Sequence, residues 1–190
     1  MNFQLRPALT LFVTLSLVTG LVYPLAVTGI AQLVFPDRAD GSLITRDGKV
    51  IGSELIGQSF NDPKHFWGRP SATSPMPYNA SSSSGSNLGP SSPALADAAK
   101  ARIAALRAAD PTNTAAVPVD LVTASASGLD PHISRAAADY QAARVARVRG
   151  LPLTSVQELI ERHTGAPMLG FIGEPRVHVL RLNLALAAAR

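Results

Sequence analysis

An apolar run near the N-terminus limits what this chain can fold into more than any other feature. No charged side chain lies between Arg6 and Asp37, and residues 9–27 are dominated by Leu, Val and Thr. A helix that crosses a bilayer needs about 20 apolar residues, and in lipid a helix satisfies its own backbone groups. The run therefore predicts a transmembrane helix over residues 9–35. We also expect a bend near Pro24, because proline lacks a backbone N–H.

The two flanks of this run predict an orientation. The leader, residues 1–8, contains Arg6 and no acidic residue, whereas residues 37–40 on the far side do not form a positive cluster. Short loops rich in Lys and Arg tend to stay in the cytoplasm. We therefore expect a cytoplasmic leader and an extracytoplasmic domain over residues 36–190. A signal peptide cleaved near residues 29–31 is the alternative, and it leaves the domain on the same side.

Composition narrows the classes of function. The chain has no cysteine, which excludes disulfides, thiolate metal sites and cysteine nucleophiles. Its net charge is +4, with scattered arginines and few aromatic residues, and this pattern is not typical of a nucleic-acid-binding surface. The four histidines are far apart in sequence and show no zinc-ligand spacing. We therefore expect no metal or organic cofactor on this chain alone, and no nucleic-acid partner.

After residue 36 the patterning predicts one soluble domain of mixed α+β class with few strands. Asp47-Gly48 between two apolar segments predicts a hairpin. Alternating leucines near the C-terminus predict a half-buried strand. A long Pro/Ser/Gly-rich loop is expected over 66–93. The remaining predicted elements are helices over 53–60, 92–109, 134–150 and 155–163, and strands over 117–123 and 176–186. For the helix over 134–150, Ser134 is the expected N-cap and Gly150 the expected stop. For the helix over 155–163, we expect a capping box of Thr154 and Gln157 and a stop at Gly165.

Ser125, Asp130 and His132 are the residue types of a hydrolase triad. Three such residues within eight positions do not usually converge, and no strained Gly-x-Ser-x-Gly turn is present. We therefore expect no catalytic residue. A hydrolase using these three residues, and an anchored module that binds an extracellular ligand, stay as alternatives.

Four groups of segments carry unusual residue strings that resemble one family. They are 55–60 with 66–72, 77–79 with 85–90, 117–125 through 128–134, and 173–177 with 182–186. Together they resemble the C subunit of the Kdp-type potassium-transporting ATPase, and the resemblance extends from the membrane helix to the end of the chain.

The resemblance implies an accessory, non-catalytic, single-pass subunit of an ATP-driven potassium uptake pump in the bacterial inner membrane. The implied partners are a channel-like potassium-translocating subunit, a P-type ATPase subunit and membrane lipid. Members of this family are needed for assembly, and they are described as catalytic chaperones that raise the affinity of the ATPase subunit for nucleotide. ATP would then be present through the ATPase subunit.

The family's proposed nucleotide stretch matches residues 123–134 here, with Gln141 as a further candidate. At Ala126 this sequence departs from the family's usual glycine. An extracytoplasmic domain would also lie across a bilayer from cellular ATP, so we favour the assembly role. The residues that the resemblance suggests for nucleotide contact are Ser125, Ser127, Gly128, Asp130, His132 and Gln141.

The alternative role is an external domain that shapes potassium access to the channel-like subunit. Its acids, Asp120, Asp130, Asp139 and Glu174, could concentrate cations only if they share a face. For either role we expect the long loop to face the partners. Its candidate contact residues are Trp67, Arg69, Tyr78 and Asn87, for which internal packing of the loop is the competing interpretation.

Overall fold

The computed structural model describes residues 4–167 and 169–189. It separates into two compact units, Met1–Ile51 and Gly52–Arg190. The first three residues of the predicted leader and the C-terminal Arg190 lie outside the described residues.

The first unit is dominated by one long apolar helix. It consists of α1 (Leu5–Leu17), a π-helical turn (Val18–Val22) and α2 (Tyr23–Val34). The π turn directly precedes Pro24, whose ring would crowd the carbonyl of Gly20 in a regular α-helix. Within the described residues, Leu5–Val34 is the one helix long and apolar enough to span a membrane, and none of it is buried by the rest of the chain.

A short helix, α3 (Pro36–Ala39), precedes the predicted hairpin, which is confirmed as β1 (Leu43–Arg46) and β2 (Lys49–Ser53). Asp47 and Gly48 both have positive φ, at 52° and 74°. A two-residue turn of this kind matches the right-handed twist of the strands.

The predicted helix over 53–60 is wrong. Ser53 and Ile56 form an isolated antiparallel bridge, and the backbone N–H of Gly57 donates to Leu129 O at 2.8 Å. This long-range hydrogen bond replaces the helical one that local propensity favours. From here to residue 92 the regular structure in the described chain is a single 3₁₀ turn, Ala80–Ser82.

The next predicted helix is confirmed as α4 (Pro93–Ala109). The predicted strand over 117–123 is wrong, because the chain forms a 3₁₀ turn at Val119–Leu121. Pro118 has its φ fixed near the value that such a turn needs, and its carbonyl accepts from Leu121 N at 3.1 Å. Burial of the Leu121 side chain then holds the turn against the core.

Two further helices were predicted correctly in place. In α5 (Arg135–Arg149), the Ser134 hydroxyl accepts from Ala137 N at 3.0 Å, and Gly150 ends the helix with φ of 66°. α6 (Leu153–Arg162) begins after Pro152. The predicted capping box is wrong, because no side chain caps this helix and Thr154 already lies inside it.

The C-terminal strand prediction is largely wrong. Strand β5 (Arg176–His178) is short, and α7 (Val179–Ala188) follows it directly. Val179, Leu182, Asn183 and Leu186 are buried at the spacing of one helix face, and this face outcompetes the alternation of leucines that favoured a strand. β5 lies between β3 (His132–Ser134) and β4 (Thr164–Gly165) in an antiparallel sheet, so Gly165 lies in a strand and does not end α6.

The second unit is therefore a mixed helix-and-strand domain with few strands, as predicted. Its core lies where α5, α6 and α7 pack against the small sheet. The buried side chains at its centre include Phe66, Val145, Val156, Val177 and Leu182.

Candidate functional site

Two buried amide side chains hold the segment at Phe66 and Trp67. Asn183 of α7 accepts from Phe66 N at 2.9 Å and donates to Phe66 O at 3.0 Å. Gln141 of α5 accepts from Trp67 N at 2.8 Å and donates to Trp67 O at 3.1 Å. Each amide thus supplies the hydrogen bonds that a neighbouring strand would supply.

Arg144 completes this support. Its guanidinium donates to Gln141 Oε1 at 2.7 Å and to the carbonyls of Pro63 and His65. Burial lowers the pKa of Arg144 to about 10, so the side chain is charged at neutral pH. The guanidinium carbon lies 4.9 Å from the centre of the Trp67 ring, and that of Arg102 lies 5.1 Å from it. Both distances fit cation–π contacts.

The segment from Ser125 to Gly128 is held by the long loop. The Ser71 hydroxyl donates to Gly128 O at 2.7 Å, and Ser84 N donates to Ser127 O at 3.0 Å. Gly128 has φ of 69°, and an added Cβ would come within 2.7 Å of Ser84 O. The fit requires glycine at this position.

An ion pair between Asp130 and Arg69 joins this segment to the long loop. The Asp130 carboxylate lies 3.3 Å from Arg69 Nη1 and accepts from His132 N at 2.9 Å. Burial alone raises the pKa of Asp130, but the hydrogen bonds from His132 and the positive charge of Arg69 outweigh it and keep the pKa below its ordinary value. Arg69 also donates to Ala124 O at 3.3 Å, while its buried Nε has no partner among the described residues.

Five of the six residues suggested for nucleotide contact lie on one segment, residues 125–132, and the sixth, Gln141, lies on α5. Ser125, Gly128, Asp130 and His132 line one loop, with Ser125 buried. Ser127 is exposed. Gln141 is 1% exposed, and its amide is engaged with Trp67 and Arg144, which weighs against direct contact with a ligand.

The four candidate partner-facing residues also differ in exposure. Trp67 is 6% exposed and lies in the core. Arg69 is half-buried in its ion pair, and the Tyr78 hydroxyl donates to Arg69 O at 2.6 Å. Asn87 is exposed, with φ of 52°. Internal packing therefore accounts for three of these side chains, and Asn87 is left on the surface.

The acids proposed to concentrate cations do not form a free acidic face. Asp120 accepts from Ser134 N at 2.7 Å and from its hydroxyl at 3.1 Å. Asp139 is paired with Arg135 at 3.0 Å. A cavity of about 230 Å³ is lined by Asp120, Asp130 and Glu174, together with Arg69 and Arg176. The arginines offset the acidic charge there.

The structure joins Asp130 to His132, with Oδ1 and Nδ1 3.3 Å apart, but no hydrogen bond in the described chain joins Ser125 to His132. Across residues 4–167 and 169–189, no group of three or more His, Asp or Glu side chains is placed to hold a metal ion.

Sequence reasoning missed Asn183, Arg102 and Arg144 as supports of the loop. The alternation of leucines that predicts a strand puts Asn183 on its polar face. If residues 179–186 are placed on a helix, Asn183 falls on its leucine-rich buried face. A buried amide needs hydrogen-bond partners, and this would have indicated a supporting role for Asn183. Nothing in the sequence indicated that these partners would be backbone groups 117 residues away.

Comparison with known proteins gives a consistent result. A family model described as "KdpC: K+-transporting ATPase, c chain" matches residues 5–188. The "Potassium-transporting ATPase KdpC subunit" of Polaromonas naphthalenivorans (strain CJ2) is 73% identical over 186 residues, covering 98% of this chain and 95% of that protein. The protein with the same description in Variovorax paradoxus (strain S110) is 69% identical over 189 residues, covering 100% and 98%. That of Sorangium cellulosum (strain So ce56) is 61% identical over 187 residues, covering 98% of each.

Proposed function

The chain belongs to the KdpC family of K+-transporting ATPase subunits, and from this premise we propose that it is a non-catalytic accessory subunit that stabilises the pump and assists its ATP-hydrolysing subunit. Its partners in this proposal are a channel-like potassium-translocating subunit and a P-type ATPase subunit. The observation that carries the proposal is that the family match covers both the apolar helix and the domain. The two parts therefore belong to one membrane-associated subunit of the complex.

The helix Leu5–Val34 supports an assembly role. All its side chains except Gly29 and Ala31 are exposed, so lipid and partner helices must cover them. Small and polar residues allow close helix packing in membranes. The candidates for such packing are Thr14, Ser16, Thr19 and Gly20, of which Thr19 already donates its hydroxyl to Leu15 O at 2.7 Å.

For orientation we propose a cytoplasmic N-terminus and a periplasmic domain in a bacterial inner membrane. Arg6 on the short N-terminal side supports this through the positive-inside tendency. The chain has no cysteine, so Lys100→Cys on α4 would introduce one exposed thiol outside the loop around Asn87. A membrane-impermeant maleimide should label this variant in intact cells. Labelling that requires lysis would contradict the proposed orientation.

We propose that the domain influences nucleotide binding through contacts with the ATPase subunit, which holds the ATP. Burial of Gln141 and Ser125 supports this indirect route, because neither offers a free polar group at the surface. The partner contacts are proposed at the outer side of the long loop around Asn87. The paired acids described above do not favour a cation-concentrating role.

The test of the proposed function is growth on limiting potassium. Loss of the chain should abolish growth that depends on this pump, and the intact chain should restore it. A Ser125→Ala, His132→Ala double variant should restore it too, since no hydrolase chemistry is required. Full growth without the chain would contradict the accessory role, and failure of the correctly folded double variant would favour the hydrolase.

A further inference from the structure

An open cavity of about 370 Å³ lies beside the small sheet of the domain. Its walls come from the end of α6, from β4 and β5, from the first turn of α7 and from the segment at Glu54 and Leu55. The volume lies in the lower part of the range of about 300–1,000 Å³ that small-molecule sites occupy.

The lining of this cavity is strongly basic. Arg162, Arg176 and Arg181 face one carboxylate, that of Glu54, and this carboxylate is ion-paired with Arg181. In the described residues the side chain of Arg176 has neither a hydrogen bond nor an ion pair, although it also lines the smaller cavity that holds Asp120, Asp130 and Glu174. The side chain of Arg162 makes one long contact, 3.4 Å, with Glu158 O. Two guanidinium groups at the cavity therefore form no ion pair in the described chain.

Two histidines line the same wall without adding a donor in their neutral form. His163 Nδ1 lies 2.8 Å from Leu159 O, and His132 Nδ1 lies 3.3 Å from an oxygen of Asp130. Each contact places the proton on Nδ1 in the neutral ring and leaves Nε2 as an acceptor without a partner in the described chain.

His178 has a different role in this cavity. Burial and the neighbouring His132 lower the pKa of His178 to about 4, so the ring is neutral. Its Nε2 lies 3.0 Å from Glu54 O and donates to it. The ring thus fixes the Glu54 segment against the sheet, and the arginines are left to set the charge of the cavity.

We propose that this cavity is a binding site for a phosphate group, with Arg162 and Arg176 as its principal ligands. Guanidinium forks match phosphate oxygens in geometry and charge, and two of them suit a group with several acceptor oxygens. Cations are disfavoured by the surplus of arginines. The phosphate could come from a lipid headgroup or from a small free phosphate compound. This site goes beyond the accessory role and does not depend on it.

The test uses the full chain in nanodiscs of zwitterionic lipid, titrated with inorganic phosphate and followed by calorimetry. The wild-type chain should bind phosphate saturably. An Arg162→Gln, Arg176→Gln double variant should bind it roughly 100-fold more weakly, since each charge-assisted hydrogen bond is worth about tenfold. A Lys100→Gln, Arg107→Gln double variant is the control, because both residues are exposed on α4 and the net charge changes equally.

Replacing part of the lipid by phosphatidylglycerol distinguishes the two sources. If free phosphate binds more weakly in the phosphatidylglycerol nanodiscs, and the Arg162→Gln, Arg176→Gln variant does not show this effect of the lipid, the lipid headgroup is identified as the source. Unchanged binding identifies a free phosphate compound. Absence of saturable binding at millimolar phosphate in the wild type overturns the proposal. Equal weakening in the α4 control variant overturns it too, because only net charge would then matter.

Discussion

The helix Leu5–Val34 and the domain that begins at Gly52 differ in how their backbone groups find hydrogen-bond partners and in how their side chains are packed. In the helix, backbone groups bond within the segment, and even Thr10 and Thr19 return their hydroxyls to carbonyls four residues earlier. None of its residues is buried. In a membrane, helices of this kind pack through lipid and neighbouring helices.

The domain pairs its buried backbone groups within itself, although much of its chain lies outside helices and strands. The long loop has little regular structure, so its backbone is paired with side chains. The side chain of Gln141 hydrogen-bonds the backbone of Trp67, and that of Asn183 hydrogen-bonds the backbone of Phe66. The Ser71 hydroxyl accepts from Tyr78 N and donates to Gly128 O. Buried backbone groups must find partners, and here amides and hydroxyls take the place of a sheet. The comparison teaches that the helix leaves its side chains unburied, while a few polar residues stabilise the domain from within.

The largest expected effect follows from placing a charge at the middle of the helix. A Leu17→Arg substitution should nearly abolish recovery of the chain with its partner subunits, because a charge at mid-membrane costs about 3 kcal/mol. The measurement is the amount of ATPase subunit purified with the chain from membranes. Leu33→Arg is the matched control, because an arginine near the helix end can reach the interface.

In both variants the fluorescence of Trp67, the single tryptophan, should keep its buried spectrum. A red-shifted spectrum in Leu17→Arg would show that the domain does not hold its own structure, and the comparison between the two regions would fail.

Within the domain, Gln141→Ala should have the largest effect on stability. It leaves the N–H and C=O of Trp67 unpaired and removes an acceptor from Arg144, at a cost of about 2–3 kcal/mol. Denaturant unfolding followed by Trp67 fluorescence measures this. Gln157→Ala on the exposed surface of α6 should change the free energy of unfolding by less than about 0.5 kcal/mol. Equal effects of the two substitutions would refute the role assigned to Gln141.

A smaller loss of stability is expected at the contact between the loop and the segment at Ser127. Gly128 and Gly150 have nearly equal φ, 69° and 66°, but only Gly128 has close neighbours where a Cβ would stand. Gly150→Ala should cost about 1 kcal/mol from backbone strain alone. Gly128→Ala should cost about 2 kcal/mol because it also displaces Ser84 or Thr73. Similar losses in chemical denaturation would mean that this contact is not tightly packed.

The remaining prediction concerns pH. The pKa of His178 is about 4 in the fold and 6.5 in an unfolded chain, so between these values the unfolded chain binds the extra proton. The free energy of unfolding should therefore fall as the pH falls from about 6.5 to about 4. His178→Gln should flatten part of this dependence in thermal unfolding. Some slope should persist, because burial also lowers the pKa of His65.

The sequence predicted the parts of the fold that local chemistry determines. The apolar helix, the Asp47-Gly48 hairpin and the Ser134 and Gly150 caps depend on neighbouring residues, and each was found. Residues 53–60, 117–123 and 179–186 were assigned wrongly because tertiary contacts decide them. In the last case, burial of Asn183 beside Leu182 selects a helix where the leucine alternation favours a strand.

The candidate site shows the same limit. The sequence indicated which segments are unusual, but not which of their side chains face inward. Trp67 and Gln141 were candidates for external contacts, and the structure pairs them with each other. Hydrogen bonds over 74 residues leave no periodic signal in a single sequence.

Purification of the intact chain from membranes of potassium-limited cells tests the central claim most directly. Through a tag on this chain, we expect a P-type ATPase subunit and a channel-like potassium-translocating subunit to be recovered with it. Recovery of the chain alone, from cells whose growth on limiting potassium does not depend on it, would contradict the account.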